Sequence, residues 1–138
     1  MRKSLKSKVA ADHKSTVPHG LKECPIFLTL NLIANKWSVR ILYFILHAEK
    51  QTMRFGELQR ALSGITQREL SKHLRAFEAS GLVTRKVFPQ VPPKVEYTLT
   101  ELGASLWKPI DGLSDWAEKN GPAIQHNRKK FEDKASLS

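Results

Sequence analysis

Gln67, Arg68, Ser71, Lys72 and Arg75 are polar or basic residues spaced so that a single helix would present them on one face, directly behind Thr66. An amide and a guanidinium each offer a planar pair of hydrogen-bonding groups. Gln can therefore meet adenine bidentately and Arg can do the same with guanine, while Lys72 and Arg75 suit phosphate or guanine. Thr66 and Ser71 complete that surface, and Arg85, Lys86 and Lys94 follow it around a Pro-rich connection, where they suit backbone phosphates. Any one of these residues alone is most often a solvated side chain on an amphipathic helix. Their joint placement is what favours a nucleic-acid surface.

Cys24 is the only other residue with reactive potential. It is the single cysteine, it stands beside Lys22, and Pro25 behind it suits the first turn of a helix. A helix N-terminus and a nearby cation both favour thiolate chemistry, so Cys24 is a candidate redox sensor. The competing reading is a buried small hydrophobe packed between protomers. Catalytic and metal chemistry find little support. The five histidines, at positions 13, 19, 47, 73 and 126, show no metal-ligand spacing, and one cysteine excludes the multi-Cys zinc patterns. No phosphate-cradling glycine loop or nucleophile elbow occurs, so no enzyme, metal or cofactor is expected. His73, alone on a basic helix, reads as a surface or DNA-side residue rather than a general base.

The elements that must position these groups follow from periodicity. Phe27, Leu28, Leu30, Leu32 and Ile33 give apolar surface to a first helix, which Asn35 is expected to end in a left-handed cap. Trp37 anchors a second helix from Ser38 to His47, with Ile41, Phe44 and Ile45 on one face, and both helices are expected to be core. A short segment from Thr52 to Phe55 leads into a helix carrying Phe55, Leu58 and Leu62, broken at Ser63 and Gly64. Thr66 and Glu69 then form a capping-box sequence, and Leu70, Leu74 and Phe77 at i, i+4 and i+7 turn the basic residues outward. Beyond Gly81 the pattern alternates: Leu82, Val83, Val87 and Phe88 read as one strand, and Val95, Tyr97 and Leu99 as another. Pro89, Pro92 and Pro93 belong in the tip between them. Thr100 caps a long helix kinked at Pro109, with Leu102, Leu106, Leu113 and Trp116 on one side.

Helix, turn, basic helix and basic hairpin make a winged helix-turn-helix, an α+β class that is mainly α. The wing should have two or three strands, and the terminal helices should serve for dimerisation. A mobile basic arm is expected over residues 1–23, the DNA-binding domain over 24–122 and a basic tail over 123–138, a helix that frays from Asn127. The formal charge of +10 is uneven. Residues 1–23 carry six basic and two acidic side chains, residues 24–100 eleven and five, and residues 101–138 six and six. A polyanion partner is the simplest cause, because each neutralised phosphate releases counterions. The near-neutral terminal helix can meet its own copy, and Phe27, Leu30, Leu102, Leu106, Leu113 and Trp116 are the candidate dimer contacts. Two-fold symmetry then calls for a pseudo-palindromic duplex site. No apolar run approaches the roughly 20 residues of a membrane helix and no secretory signal is visible, so a cytoplasmic, nucleoid-associated protein is expected. RNA binding lacks an aromatic stacking platform on the hairpin. A winged helix used only for protein interaction remains the alternative, opposed by the basic outer face.

The stretch from Cys24 to Gly121 also resembles the HxlR-type regulators, which are related to MarR-like regulators. The likeness rests on Cys24-Pro25, Asn35-Lys36-Trp37, Arg54-Phe55-Gly56-Glu57-Leu58, Gly64-Ile65-Thr66-Gln67, Leu70-Ser71-Lys72-His73-Leu74, Gly81-Leu82-Val83-Thr84-Arg85 and the run from Val91 to Thr100. Ala34-Asn35 departs from the two glycines common there, and the basic arm is longer. The resemblance implies a dimeric DNA-binding transcriptional regulator, expected to repress and often answering a small-molecule or redox signal, in some members through a cysteine at the position of Cys24.

Overall fold

The computed structural model describes residues 24–137, so the basic arm expected over 1–23 lies outside the described residues. The chain forms helix α1 (Pro25–Ile33), helix α2 (Ser38–His47), a 3-10 turn (Glu49–Gln51) and strand β1 (Thr52–Arg54). Helices α3 (Phe55–Ala61) and α4 (Gln67–Ala79), strands β2 (Val83–Phe88) and β3 (Lys94–Leu99) and helix α5 (Glu101–Leu137) complete it. The strands make one antiparallel sheet in the order β1-β3-β2, so the wing has three strands. Thr52 pairs with Thr98 at one end of β3, and Val83 pairs with Leu99. This is a winged helix-turn-helix.

The core is assembled where the apolar faces of α2, α3 and α4 meet the base of the wing. Ile41, Leu42, Ile45, Leu58, Leu70, Leu74, Phe77 and Val83 are fully buried. In β2 only Val83 is buried, and the strand from Thr84 to Val87 stands out from the body. α4 leaves this core through a glycine turn. The Leu82 amide donates to the Phe77 carbonyl at 2.9 Å and the Gly81 amide to the Glu78 carbonyl at 3.0 Å. Gly81 has φ 75, a conformation that a Cβ disfavours. The hinge between the basic helix and the wing is thereby fixed.

α5 is tied to the same hinge. The Thr100 hydroxyl donates to the Gly81 carbonyl at 2.6 Å and accepts from the Gly103 amide at 3.0 Å, which caps the helix as its sequence implies. Helix α5 runs without a break through Pro109 and Pro122 to Leu137, so the basic tail is helical. Ile110 and Gly103 are its buried residues, and Leu106 is only partly buried against the core.

Two expectations for the N-terminal helices are corrected. α1 contributes no buried residue, since only Leu32 and Ile33 pack partly on the core, and its flank of Ile26, Phe27, Leu28 and Leu30 is exposed. The second concerns Asn35, which does not adopt a left-handed cap. α1 closes at Ala34 with φ −82, and Asn35 instead serves the next helix. Its Oδ1 accepts from the amides of Trp37 (3.0 Å) and Ser38 (2.8 Å), and its Nδ2 donates to the fully buried Ser38 hydroxyl at 2.7 Å. An Asn supplies acceptor and donor together, which a glycine cannot. Asn35→Ala is expected to cost about 1–2 kcal/mol, because it removes a cap and strands a buried hydroxyl. Urea unfolding midpoints of the two proteins check this.

Candidate nucleic-acid interface

α4 is amphipathic by construction. Leu70, Leu74 and Phe77 anchor one side in the core, and Gln67, Arg68, Lys72 and Arg75 are exposed on the other, with Ser71 half-buried between them. Thr66 holds the start of the helix, its hydroxyl accepting from the Glu69 amide at 3.0 Å. That is half of the expected capping box. The reciprocal box-type contact forms one helix earlier, where the Glu57 carboxylate accepts from the Arg54 amide at 2.8 Å.

Arg68, Ser71, Lys72 and Arg75 border a shallow groove along α4 whose floor includes Ala76 and Ala79. A second depression joins the helix to the wing through Ser71, Arg75, Glu78, Arg85 and Tyr97. Ser71 and Arg75 therefore face both the helix groove and the wing, and one partner lying along α4 would meet Arg85 as well. His73 is half-buried on the flank of the same helix. Burial pushes its imidazole below the usual range and Lys72 acts in the same direction, while Glu69 partly opposes them. These contacts therefore favour its neutral form.

The wing cations are arranged less freely than the sequence implied. Lys86 lies 4.9 Å and Lys94 4.5 Å from the centre of the Phe88 ring, a cation–π pair that holds both ammonium groups against the strand. Lys94 also bridges Glu96 at 3.2 Å, so its charge is partly offset. Arg85 and Lys86 are the exposed cations of β2.

Two basic residues that the sequence did not mark as contact residues join this surface. Arg54, at the end of β1, and Arg60, in α3, line an open cleft of about 530 Å³ together with Gln67, Ser71 and Arg85. Arg54 comes from β1, which pairs with β3, and Arg60 from α3, one short turn before α4.

Cys24 is buried, with 5% of its surface exposed, immediately before α1, and it is not part of the main core cluster. Phe27, Leu30, Leu102, Leu113 and Trp116 are exposed, whereas Leu106 is partly covered. Among the described residues no cluster of His, Cys, Asp and Glu could hold a metal ion, and no helix is long and apolar enough to cross a membrane.

Comparison with known proteins agrees with this geometry. Residues 32–125 match the family described as HxlR-like helix-turn-helix. The HTH-type transcriptional regulator BH0655 of Halalkalibacterium halodurans is 44% identical over 110 residues, covering 80% of this chain and 95% of that protein. Among solved structures, the redox regulator HypR in its reduced form is 40% identical with TM-score 0.64, over 73% of this chain and 97% of that one. The reduced form of the transcriptional regulator YodB from Bacillus subtilis is 30% identical with TM-score 0.60, over 70% and 92% respectively.

Proposed function

The chain belongs to the HxlR-like helix-turn-helix family of transcriptional regulators, and from that premise we propose that it binds a pseudo-palindromic duplex site as a homodimer and represses transcription there. The observation that carries this reading is the exposed basic face of α4 running into Arg85 of the wing. Gln67 and Arg68 stand at the N-terminal end of α4, where base contacts concentrate in helix-turn-helix complexes, and Ser71, Lys72 and Arg75 continue along the groove. Arg85, Lys86 and Lys94 hold the flanking backbone. The site of action is the cytoplasm, on the nucleoid.

The test separates reading from holding. Lys72→Ala and Arg85→Ala are expected to weaken binding to all duplexes alike and to reduce its salt dependence. Gln67→Ala and Arg68→Ala should each cost about 1–3 kcal/mol at particular base pairs. Affinity measured on a selected site and a scrambled one, across a salt titration, distinguishes the two classes. Equal losses on both duplexes for all four variants would refute the division of labour.

Two-fold closure of the dimer uses α1 and α5, where Phe27, Leu30, Leu102, Leu113 and Trp116 are exposed, with Leu106 at the edge, and leave apolar surface for a partner copy to cover. Cys24 is the proposed point of redox or electrophile response, supported by the likeness to HypR and YodB, which are described in reduced forms. Because the thiol is buried against the start of α1, adding an oxygen or an adduct there displaces α1 and with it the proposed interface. Diamide should release wild-type protein from its site and leave Cys24→Ser bound. The same response from both would assign Cys24 to packing alone.

A further inference from the structure

We infer that Arg54 and Arg60, facing Arg85 across the cleft beside α4, clamp one phosphodiester of the DNA strand bordering the major groove that α4 enters. The inference rests on the reading of α4 as the recognition helix and adds residues to the contact surface that no helix pattern reveals.

Three guanidinium groups from three different elements line one open cleft: Arg54 ends β1, Arg60 lies in α3, and Arg85 lies in β2. The Arg60 side chain folds back along its helix, and its Nη1 stands 3.4 Å from the place where a Cβ on Gly56 would be. Among the described residues Lys94 with Glu96 is the salt bridge found, so none of the three arginines makes a direct ion pair, although Glu49 and Glu96 lie near Arg54 and Glu78 near Arg85. Glu57 is the one acidic residue lining the cleft, and its Oε1 accepts from the Arg54 amide at 2.8 Å. Three like charges held around one carboxylate repel each other, and an anion between them reverses the sign of that interaction. Guanidinium forks match phosphate oxygens bidentately, which makes phosphate the fitting anion.

A duplex phosphate fits better than a free ion because the cleft is open and shares its wall with Gln67 and Ser71. A major groove about 12 Å wide that admits α4 must bring a strand within reach of the side chains flanking the helix. The phosphate therefore adjoins the base met by Gln67. Arg54, Arg60 and Arg85 position the duplex and carry no sequence preference themselves.

The test uses the full chain with two duplexes, one carrying its selected site and one scrambled. Arg54→Ala and Arg60→Ala are each expected to lower affinity for both duplexes by the same factor. Each should also flatten the plot of log affinity against log salt, by at most about 1 per protomer because the three arginines share one phosphodiester, hence by at most about 2 for a dimer altered in both protomers. Arg54→Lys and Arg60→Lys keep the point charge and should restore the slope, though not the full affinity. An unchanged slope in both alanine variants, with Gln67→Ala still altering base preference, overturns the clamp and leaves the recognition helix standing. Wild-type protein that shows no salt-dependent duplex binding overturns both. Inorganic phosphate titrated at constant ionic strength distinguishes the source. Saturable phosphate binding lost in Arg54→Ala, together with an unchanged DNA slope, would assign the cleft to a free anion and contradict the proposal.

Discussion

Replacing Leu113 and Trp116 together by glutamine is expected to yield a folded monomer that binds its duplex site about 100-fold or more weakly than the parent. Leu113 is 57% and Trp116 55% exposed in the single chain, so neither substitution removes much packing from the domain itself. Glutamine is also a good helix former, and α5 should persist. What changes is the apolar face on which the proposed dimer closes. A dimer holds its second recognition helix at a high effective concentration over the second half-site, an advantage of roughly 10²–10⁴ that a monomer forfeits. Light scattering, gel shift and a thermal melt on the same preparation check the claim. If the variant remains a dimer, the interface lies elsewhere and the assignment of α5 is wrong.

Gly103→Ala should damage the fold itself, although the change is a single methyl group in a helix. A Cβ at Gly103 would lie 2.2 Å from the Leu82 carbonyl oxygen and 2.7 Å from Cδ1 of Leu99. The carbonyl cannot step aside cheaply, because it accepts from the Thr100 amide at 3.0 Å within the hinge that joins α4, β2 and α5. Relief requires α5 to back away from the wing, and the expected loss is about 2–3 kcal/mol, or on the order of 10 °C in Tm. Gly112 lies in the same helix with nothing within 4 Å of its would-be Cβ, and no proline directly follows it. Gly112→Ala should therefore stabilise, by up to about 1 kcal/mol from helix propensity. Opposite signs for the two substitutions, read by circular dichroism, would support the close contact at Gly103. Equal small effects would contradict it.

Much of this architecture was legible because each element carries a local signal that agrees with its burial. Leu70, Leu74 and Phe77 set the period of α4, Thr66 its start and Gly81 its end, and the basic residues were left outward by subtraction. Val95, Tyr97 and Leu99 alternate as a strand with one buried face should. The misreadings share a different physical cause. Asn35 sits between two helices, and its side chain can serve either; only the position of buried Ser38 decides that it caps the second. The apolar residues of α1 signal burial without saying against what, and within one chain they remain exposed. Arg54 sits on β1, whose pairing with β3 is a long-range contact that no spacing rule encodes, while Arg60 lies one turn before α4 and lines the same cleft. Lys94 reads as a free cation until Glu96 and Phe88 are seen beside it.

The central claim, that α4 reads duplex DNA as one half of a symmetric pair, is tested most directly by selecting bound sequences from random duplex DNA with the parent and with Arg68→Ala. The account predicts that the parent enriches a pseudo-palindrome with half-sites about one helical turn, roughly 34 Å, apart. It predicts too that Arg68→Ala loses preference at one symmetry-related pair of positions and keeps the rest. Enrichment of no sequence, or of a single asymmetric site indifferent to Arg68, would contradict it.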